Sequence, residues 1–227
     1  MTEVGNSAVT TPKRRVGRPR ATGPSRAGSD TRADVLAAAA RLFGRRGYAA
    51  TSTRAIAEAA GIRQASVYNH FRGKEEILTV LLEQTVGHAL TVAARLRETA
   101  ISPEAKLWAL CYADVRVLLD DPHNVGALFL LPEVTGDHFA GVRAHRDQLW
   151  SAYRDLITRT GRRSGSEELT TRLVCGLVES VIQSRPPEGE RDVDAVAEGV
   201  AEGVLRLLGC RTAEITAARS AAERDPA

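Results

Sequence analysis

Between Thr51 and Lys74 the chain places hydroxyl, amide, aromatic and basic side chains at spacings suited to a nucleic-acid contact. Ser52, Thr53, Arg54, Tyr68, His70 and Lys74 carry hydroxyl, imidazole and cationic donors of the kind that grip phosphate oxygens. Arg63, Gln64, Ala65, Ser66, Tyr68 and Asn69 are the candidates for reading bases. Glutamine pairs bidentately with adenine and arginine with guanine, and the Ala65 methyl suits a thymine methyl. That division of labour requires two short helices set against each other. The second must lie in the major groove with its first residues at the base edges.

The local signals supply those helices. Thr51, Ser52 and Thr53 offer N-cap oxygens ahead of Arg54–Ala60, and Gly61 ends that run. Gln64–Phe71 reads as a second short helix after the turn, a helix-turn-helix pattern. Ile56, Ile62, Val67 and Phe71 are the apolar pins for a preceding helix, whose stripe is Val35, Leu36, Ala39, Leu42 and Phe43. Thr31 with Asp34 resembles a capping box, and Gly47 supplies the stop. Gly73-Lys74-Glu75-Glu76 then opens a helix expected to run from 74 to 98, acidic where the dipole favours it and roughly 37 Å long.

The remainder predicts further helices. Ser102-Pro103-Glu104 starts one that breaks at Asp121-Pro122, and a short helix over Asn124–Leu131 ends at Pro132. Thr135-Gly136-Asp137 reads as a loop, and the stripe Val142, Leu149, Tyr153, Leu156, Ile157 stops at Gly161. Residues 161–166 connect to two final helices, near 167–184 and 192–209, split by Pro186-Pro187-Glu188-Gly189. The expected fold class is all-α, with nine or ten helices and no strand signal. Its expected organisation is an arm over 1–29, a helix-turn-helix domain over 30–76, a ligand-binding and dimerisation domain over 77–210, and a flexible tail over 211–227.

Residues 31–78 closely resemble the DNA-binding domain of TetR-family transcriptional regulators. The resemblance rests on Val35–Phe43, Gly47-Tyr48, Thr51–Ile62, Ser66–Phe71 and Lys74–Leu78, with Val67 where the family usually has leucine. It covers about a fifth of the chain. It implies an all-α homodimer that binds DNA through this domain and binds a ligand in its C-terminal part, dimerising through its last two long helices. It also implies phosphate contacts at Thr53, Tyr68, His70 and Lys74, and base contacts at Arg63, Gln64, Ala65 and Tyr68.

Charge distribution agrees. The net charge is +3, but residues 1–85 carry 14 Lys/Arg against 7 Asp/Glu, while residues 86–227 carry 17 against 21. A basic first third joined to a mildly acidic remainder suits a nucleic-acid reader fused to a different module. In the arm, Lys13-Arg14-Arg15-Val16-Gly17-Arg18-Pro19-Arg20 places Gly-Arg-Pro-Arg in a basic cluster similar to the core of an AT-hook. Arg14, Arg15, Arg18 and Arg20 are therefore candidates for a narrow minor groove beside the operator. The N-terminus lacks the apolar core of a secretory signal and no apolar run approaches 18 residues, so a cytoplasmic location is expected.

For the C-terminal part, the few aromatics Trp108, Tyr112, Phe129, Trp150 and Tyr153 are the candidate ligand pocket. His123, Asp137, His138 and His145 lack metal-ligand spacing, and Cys111 and Cys175 have no evident partner base. No metal, cofactor or enzymatic activity is expected, and Cys111, Cys175 and Cys210 read as reduced, buried small hydrophobes. Leu173, Leu177, Val181, Val196, Gly199, Val200, Gly203 and Leu207 are the candidate dimer face. Two glycines four apart on one helix suit close helix approach. Together these features point to a dimeric regulator of palindromic operator DNA, a repressor released by an unidentified small-molecule effector. The alternatives are an architectural DNA-binding protein without effector, or a ligand-dependent activator.

Overall fold

A computed structural model describes residues 31–162, 165–185 and 192–225. Arg14, Arg15, Arg18 and Arg20 of the arm, and the break at Pro186–Gly189, lie outside the described residues. Among the described residues there are nine α-helices and no strand. They are α1 (Thr31–Arg46), α2 (Thr53–Ala59), α3 (Gln64–Tyr68), α4 (Lys74–Glu98), α5 (Pro103–Asp120), α6 (Ala140–Arg159), α7 (Glu167–Gln183), α8 (Val193–Leu207) and α9 (Thr212–Arg224).

The head is built as the stripe and caps dictate. α1 buries Val35, Leu36, Leu42 and Phe43, and Gly47 ends it with φ +82°. Ser52 caps α2, its Oγ accepting the Ala55 N–H at 3.2 Å. The turn into α3 is a Schellman motif on Gly61, φ +71°, with Ile62 N donating to Ala57 O at 3.0 Å and Gly61 N to Glu58 O at 3.2 Å. Ile56, Val67 and Phe71 are buried against α1 as expected, with Ile62 half-buried.

α4 serves two apolar clusters. Ile77, Leu78, Leu81 and Leu82 complete the head, and Val86, Ala89, Val92, Ala93 and Leu96 enter a second core with α5–α9. By length and composition α4 is apolar enough to cross a bilayer, although polar residues interrupt every long apolar run within it. Its apolarity follows from lying between those cores.

Residues 125–139 differ from expectation. The short helix expected over Asn124–Leu131 forms as a 3₁₀ helix, Val125–Leu130, and the segment expected as a loop forms two further 3₁₀ turns, Pro132–Thr135 and Asp137–Phe139. Pro132 drives Leu131 to ψ 135° and Asn124 enters at φ 52°, and Asn124 and Leu131 bound the first turn on either side. Tertiary bonds hold this ladder. The Arg143 guanidinium donates to the carbonyls of Val134 (2.8 Å) and Gly136 (2.6 Å), and the Asn124 amide donates to Ile182 O (3.0 Å). Val125, Leu128, Val134 and Phe139 join the head cluster, and a Cβ on Gly44 of α1 would lie 2.6 Å from the His123 carbonyl oxygen. The ladder is therefore packed directly onto the head.

The expected flexible tail is also corrected. Residues 212–224 form α9, which buries Ile215, Ala218 and Ala222 against the second core. That stripe is too poor in bulk to signal a helix alone. It is secured by ion pairs across elements, Arg219 with Glu198 (2.7 Å) and Glu214 with Arg162 (2.7 Å). Burial of small residues plus such pairs overrides the weak local signal.

Candidate nucleic-acid interface and interior cavities

α3 presents its polar side outward. Arg63, Gln64, Ala65, Tyr68, Asn69 and His70 are exposed, Tyr68 by 52%, while Ser66 is half-buried and Val67 fully buried. Thr53 ties the two helices together. Its Oγ1 accepts from Gln64 Nε2 at 3.2 Å and lies 3.2 Å from Tyr68 Oη. The first residue of α2 thus braces both ends of α3, fixing the side chains that face outward.

Beside this brace runs an open groove of about 500 Å³ lined by Ser52, Thr53, Tyr68, Arg72, Gly73 and Lys74. It brings together four of the six residues assigned to phosphate from sequence. Arg54 is exposed and bonded to Glu58 (3.0 Å), and His70 sits on the α3 side. Lys74 is half-buried. Its Nζ is 3.2 Å from Tyr48 O, 3.5 Å from Thr51 O and 4.3 Å from the centre of the Tyr48 ring. Two of its three N–H groups thus brace the loop before α2 and one is left for a ligand. Arg72 is an addition that the sequence reading missed. Its signal was a basic residue just ahead of an acidic helix start, where it flanks the groove.

The candidate pocket aromatics do not converge on one site. Phe129, Trp150 and Tyr153 line an interior cavity of about 70 Å³ between α4, α5, α6, α7 and the 3₁₀ ladder. Tyr153 Oη donates to Asp114 Oδ2 at 2.9 Å. Burial lifts the Asp114 carboxyl to a pKa of about 7, against the lowering effect of the Tyr153 hydrogen bond, with the charge of Glu179 adding to the rise. Arg146 spans the same cavity. It is bound to Glu179 through three contacts of 2.7, 2.8 and 3.1 Å, and its guanidinium lies 5.4 Å from the Phe129 ring centre and 5.3 Å from that of Trp150. Trp108 and Tyr112, stacked at 5.0 Å, instead line a separate groove.

All three cysteines are free thiols and buried. Burial, followed by the charge of Glu179, pushes Cys175 up to about 12, and burial pushes Cys111 up as well, so neither supplies a thiolate near neutrality. Among the described residues no three His, Cys, Asp or Glu side chains gather as a metal donor set.

The candidate dimer face is divided. Leu173 is exposed by 42%, Gly199 is exposed, and Leu177, Val196, Val200, Gly203 and Leu207 are half-buried. Val181 is corrected: it is buried in the chain's own core with Val178 and Ile182. The α7 stripe is wide enough to serve two surfaces, and position 181 falls on the inner one. Leu169, exposed by 49%, extends the outer surface instead. The two glycines differ as well. A Cβ at Gly203 would meet Leu177 Cδ2 at 3.3 Å within the chain, whereas one at Gly199 meets nothing within 4 Å.

A braced helix-turn-helix with an outward polar face, carried on a helical body, defines a DNA-binding regulator. Residues 35–81 match the family model described as bacterial regulatory proteins, tetR family. The structure is similar to that of Mycobacterium smegmatis AmtR, with 40% identity, a TM-score of 0.73 and coverage of 89% of this chain and 97% of that one. The transcriptional repressor KstR2 of Rhodococcus jostii strain RHA1 is 28% identical over 75% of this chain and 87% of its own length. KstR2 of Mycolicibacterium smegmatis is 35% identical, but the chain spans only 42% of that relative's length. AibR, in complex with isovaleryl coenzyme A and operator DNA, shares the fold at 21% identity, with a TM-score of 0.65 over 77% of this chain and 98% of its own. The chain belongs to the tetR family of bacterial regulatory proteins.

Proposed function

We propose that this protein is a cytoplasmic, homodimeric repressor that binds a palindromic operator and is released by a small molecule taken into the interior cavity. The observation that carries the reading is the shared wall. Phe129 and Leu130 line the cavity, and the ladder to which they belong packs on the head through Val125, Leu128 and Gly44. A ligand that presses Phe129 and Leu130 outward shifts that wall, and the displacement passes to α1 and α4. Two recognition helices on one palindrome require a fixed separation, so a shift of a few ångströms lowers affinity. The ligand has to prefer the DNA-incompetent state for this to work.

In the DNA-bound state Arg63, Gln64, Ala65 and Tyr68 read bases while Ser52, Thr53, Arg72, His70 and Lys74 hold phosphates. Arg14, Arg15, Arg18 and Arg20 extend the grip into the adjacent minor groove. The test is to recover genomic fragments retained by the full-length protein, footprint them, and screen compounds for release. One or two sharp palindromic footprints and a releasing compound are expected. Salt-dependent binding without sequence preference would replace this reading with an architectural one. Deleting residues 1–28 should flatten the salt slope by about 0.9 for each phosphate that the arm neutralises.

A further inference from the structure

Thr53 stands where the phosphate side and the base side of the head meet. It lines the open groove beside Ser52, Arg72 and Lys74, and its Oγ1 contacts Gln64 and Tyr68 of α3. Neither contact is needed to hold the two helices together. Ile56 and Val67 are wholly buried between them, and Ile62 N donates to Ala57 O at 3.0 Å across the turn. The polar contacts lie among side chains that solvent reaches, since Gln64 and Tyr68 are exposed and Thr53 is half-buried.

The hydrogens of this cluster can be counted. A hydroxyl group has one hydrogen to donate and two sites that accept. The Gln64 amide nitrogen can only donate, so at 3.2 Å it occupies one accepting site of Thr53 Oγ1. Tyr68 Oη, also at 3.2 Å, fills the second when it donates. The Thr53 hydrogen is then free for an acceptor in the groove, and a phosphodiester oxygen only accepts. Donation to an anion makes the hydroxyl a better acceptor, which tightens its hold on Gln64. Gln64 spends one of its two amide hydrogens on Thr53. The other, with Oε1, is left for the paired contact that a carboxamide makes with adenine.

We infer that Thr53 is a positioning residue for base recognition: with its hydroxyl on a backbone phosphate, it holds the Gln64 carboxamide in the orientation that reads the base edge. This role rests on the proposed reading of an operator by the head. Unbraced, Gln64 is a long exposed side chain with rotamers to lose on binding, and that loss falls on the base contact. A threonine that touched phosphate and nothing else would strengthen all sequences alike. Thr53 instead makes specificity at the Gln64 position depend on a hydroxyl 11 residues away.

The test is selection from a pool of random-sequence duplexes, followed by sequencing, with the full-length protein and its variants. Thr53→Val keeps the branched shape and removes the hydroxyl. A paired carboxamide–base contact discriminates by roughly 5- to 150-fold, and Gln64→Ala identifies the positions where this chain uses one. At those positions Thr53→Val should lower discrimination by about threefold or more, with preferences elsewhere in the site unchanged. Thr53→Ser should restore it. Thr53→Ala, which also lacks the hydroxyl and suits a helix, should give the same pattern as Thr53→Val. A variant carrying both Thr53→Val and Gln64→Ala should be no flatter there than Gln64→Ala alone. Preferences retained elsewhere report that each variant is folded. The role is overturned if Thr53→Val and Thr53→Ala weaken all sequences alike, if Thr53→Ser fails to restore the preference, or if Gln64→Ala flattens no position. A wild-type protein that enriches no sequence overturns the operator-reading function and this role with it. A Thr53→Val protein that keeps the wild-type preferences overturns this role alone.

Discussion

Replacing Asp114 with asparagine probes the interior cavity most directly. Asp114 is 6% exposed and accepts a 2.9 Å hydrogen bond from Tyr153. Burial raises its pKa from 3.8 to about 7, the Tyr153 bond acts against that rise, and Glu179 reinforces it. Because the folded pKa exceeds the unfolded one, the folded chain holds this proton more tightly. The resulting stabilisation is complete below pH 3.8 and is lost as pH rises through 7. Linkage over that interval gives a loss of about 2.5 kcal/mol between pH 5 and pH 8. Asparagine keeps the shape and the acceptor for Tyr153 but does not titrate. Urea unfolding of both proteins at matched concentration and ionic strength, at four pH values from 5 to 8, isolates the site. The stability difference should move by about 2.5 kcal/mol in favour of Asp114→Asn as pH rises. If the two stability curves run parallel, Asp114 ionises without penalty, and the account of burial raising its pKa is wrong.

Three further outcomes follow from the geometry. Gln64→Ala removes the amide that we propose reads a base and that donates to Thr53, and should cost about 1–3 kcal/mol of specific affinity with an unchanged salt slope, measured by fluorescence anisotropy on the recovered operator. Gly44→Ala places a methyl 2.6 Å from the His123 carbonyl and should destabilise by about 1–3 kcal/mol, lowering Tm by about 2–4 °C per kcal/mol. An unaltered melt would mean that α1 and the ladder slide freely. Leu173→Glu puts a charge on the outward face of α7 and should yield monomers in sedimentation velocity, with helical content retained.

Elements whose local signals agreed with their packing were legible in the sequence. α1 forms on its apolar stripe and stops at Gly47, α2 on its Ser52 cap with the stop at Gly61, and α4 on its acidic first turn and long stripe, each close to where those signals fall. The first turn of the ladder was legible as a short helix but its 3₁₀ geometry was not, because the i, i+3 spacing of Val125 and Leu128 suits either kind of helix. What holds the ladder is the pairing of Pro132 with tertiary bonds from Arg143 and Asn124, whose partners lie up to 58 residues away. α9 failed for the converse reason. Ala218 and Ala222 are too small to mark a buried face until Glu198 and Arg162 are known to face it.

The two kinds of site differ in legibility for a physical reason. A DNA-reading face addresses a large partner outside the chain, so its polar residues must stand exposed on one short helix, within a few positions of each other. Even its internal brace, Gln64 to Thr53, spans only 11 residues. An interior cavity addresses a small partner, and its polar groups must satisfy one another whenever the cavity is empty. Tyr153 and Asp114 are 39 residues apart, and Arg146 and Glu179 are 33 apart, on the facing sides of α5, α6 and α7. No spacing rule along the chain marks such pairs, and grouping the aromatics by composition merged two sites into one. In the folded chain they separate by their polar groups: a buried acid with a raised pKa, bonded to Tyr153, beside the cavity, and a stacked Trp108–Tyr112 pair beside the groove. The same family frame can therefore hold a cavity whose chemistry is set almost entirely by long-range pairings beside a helix-turn-helix that is legible as a contiguous segment.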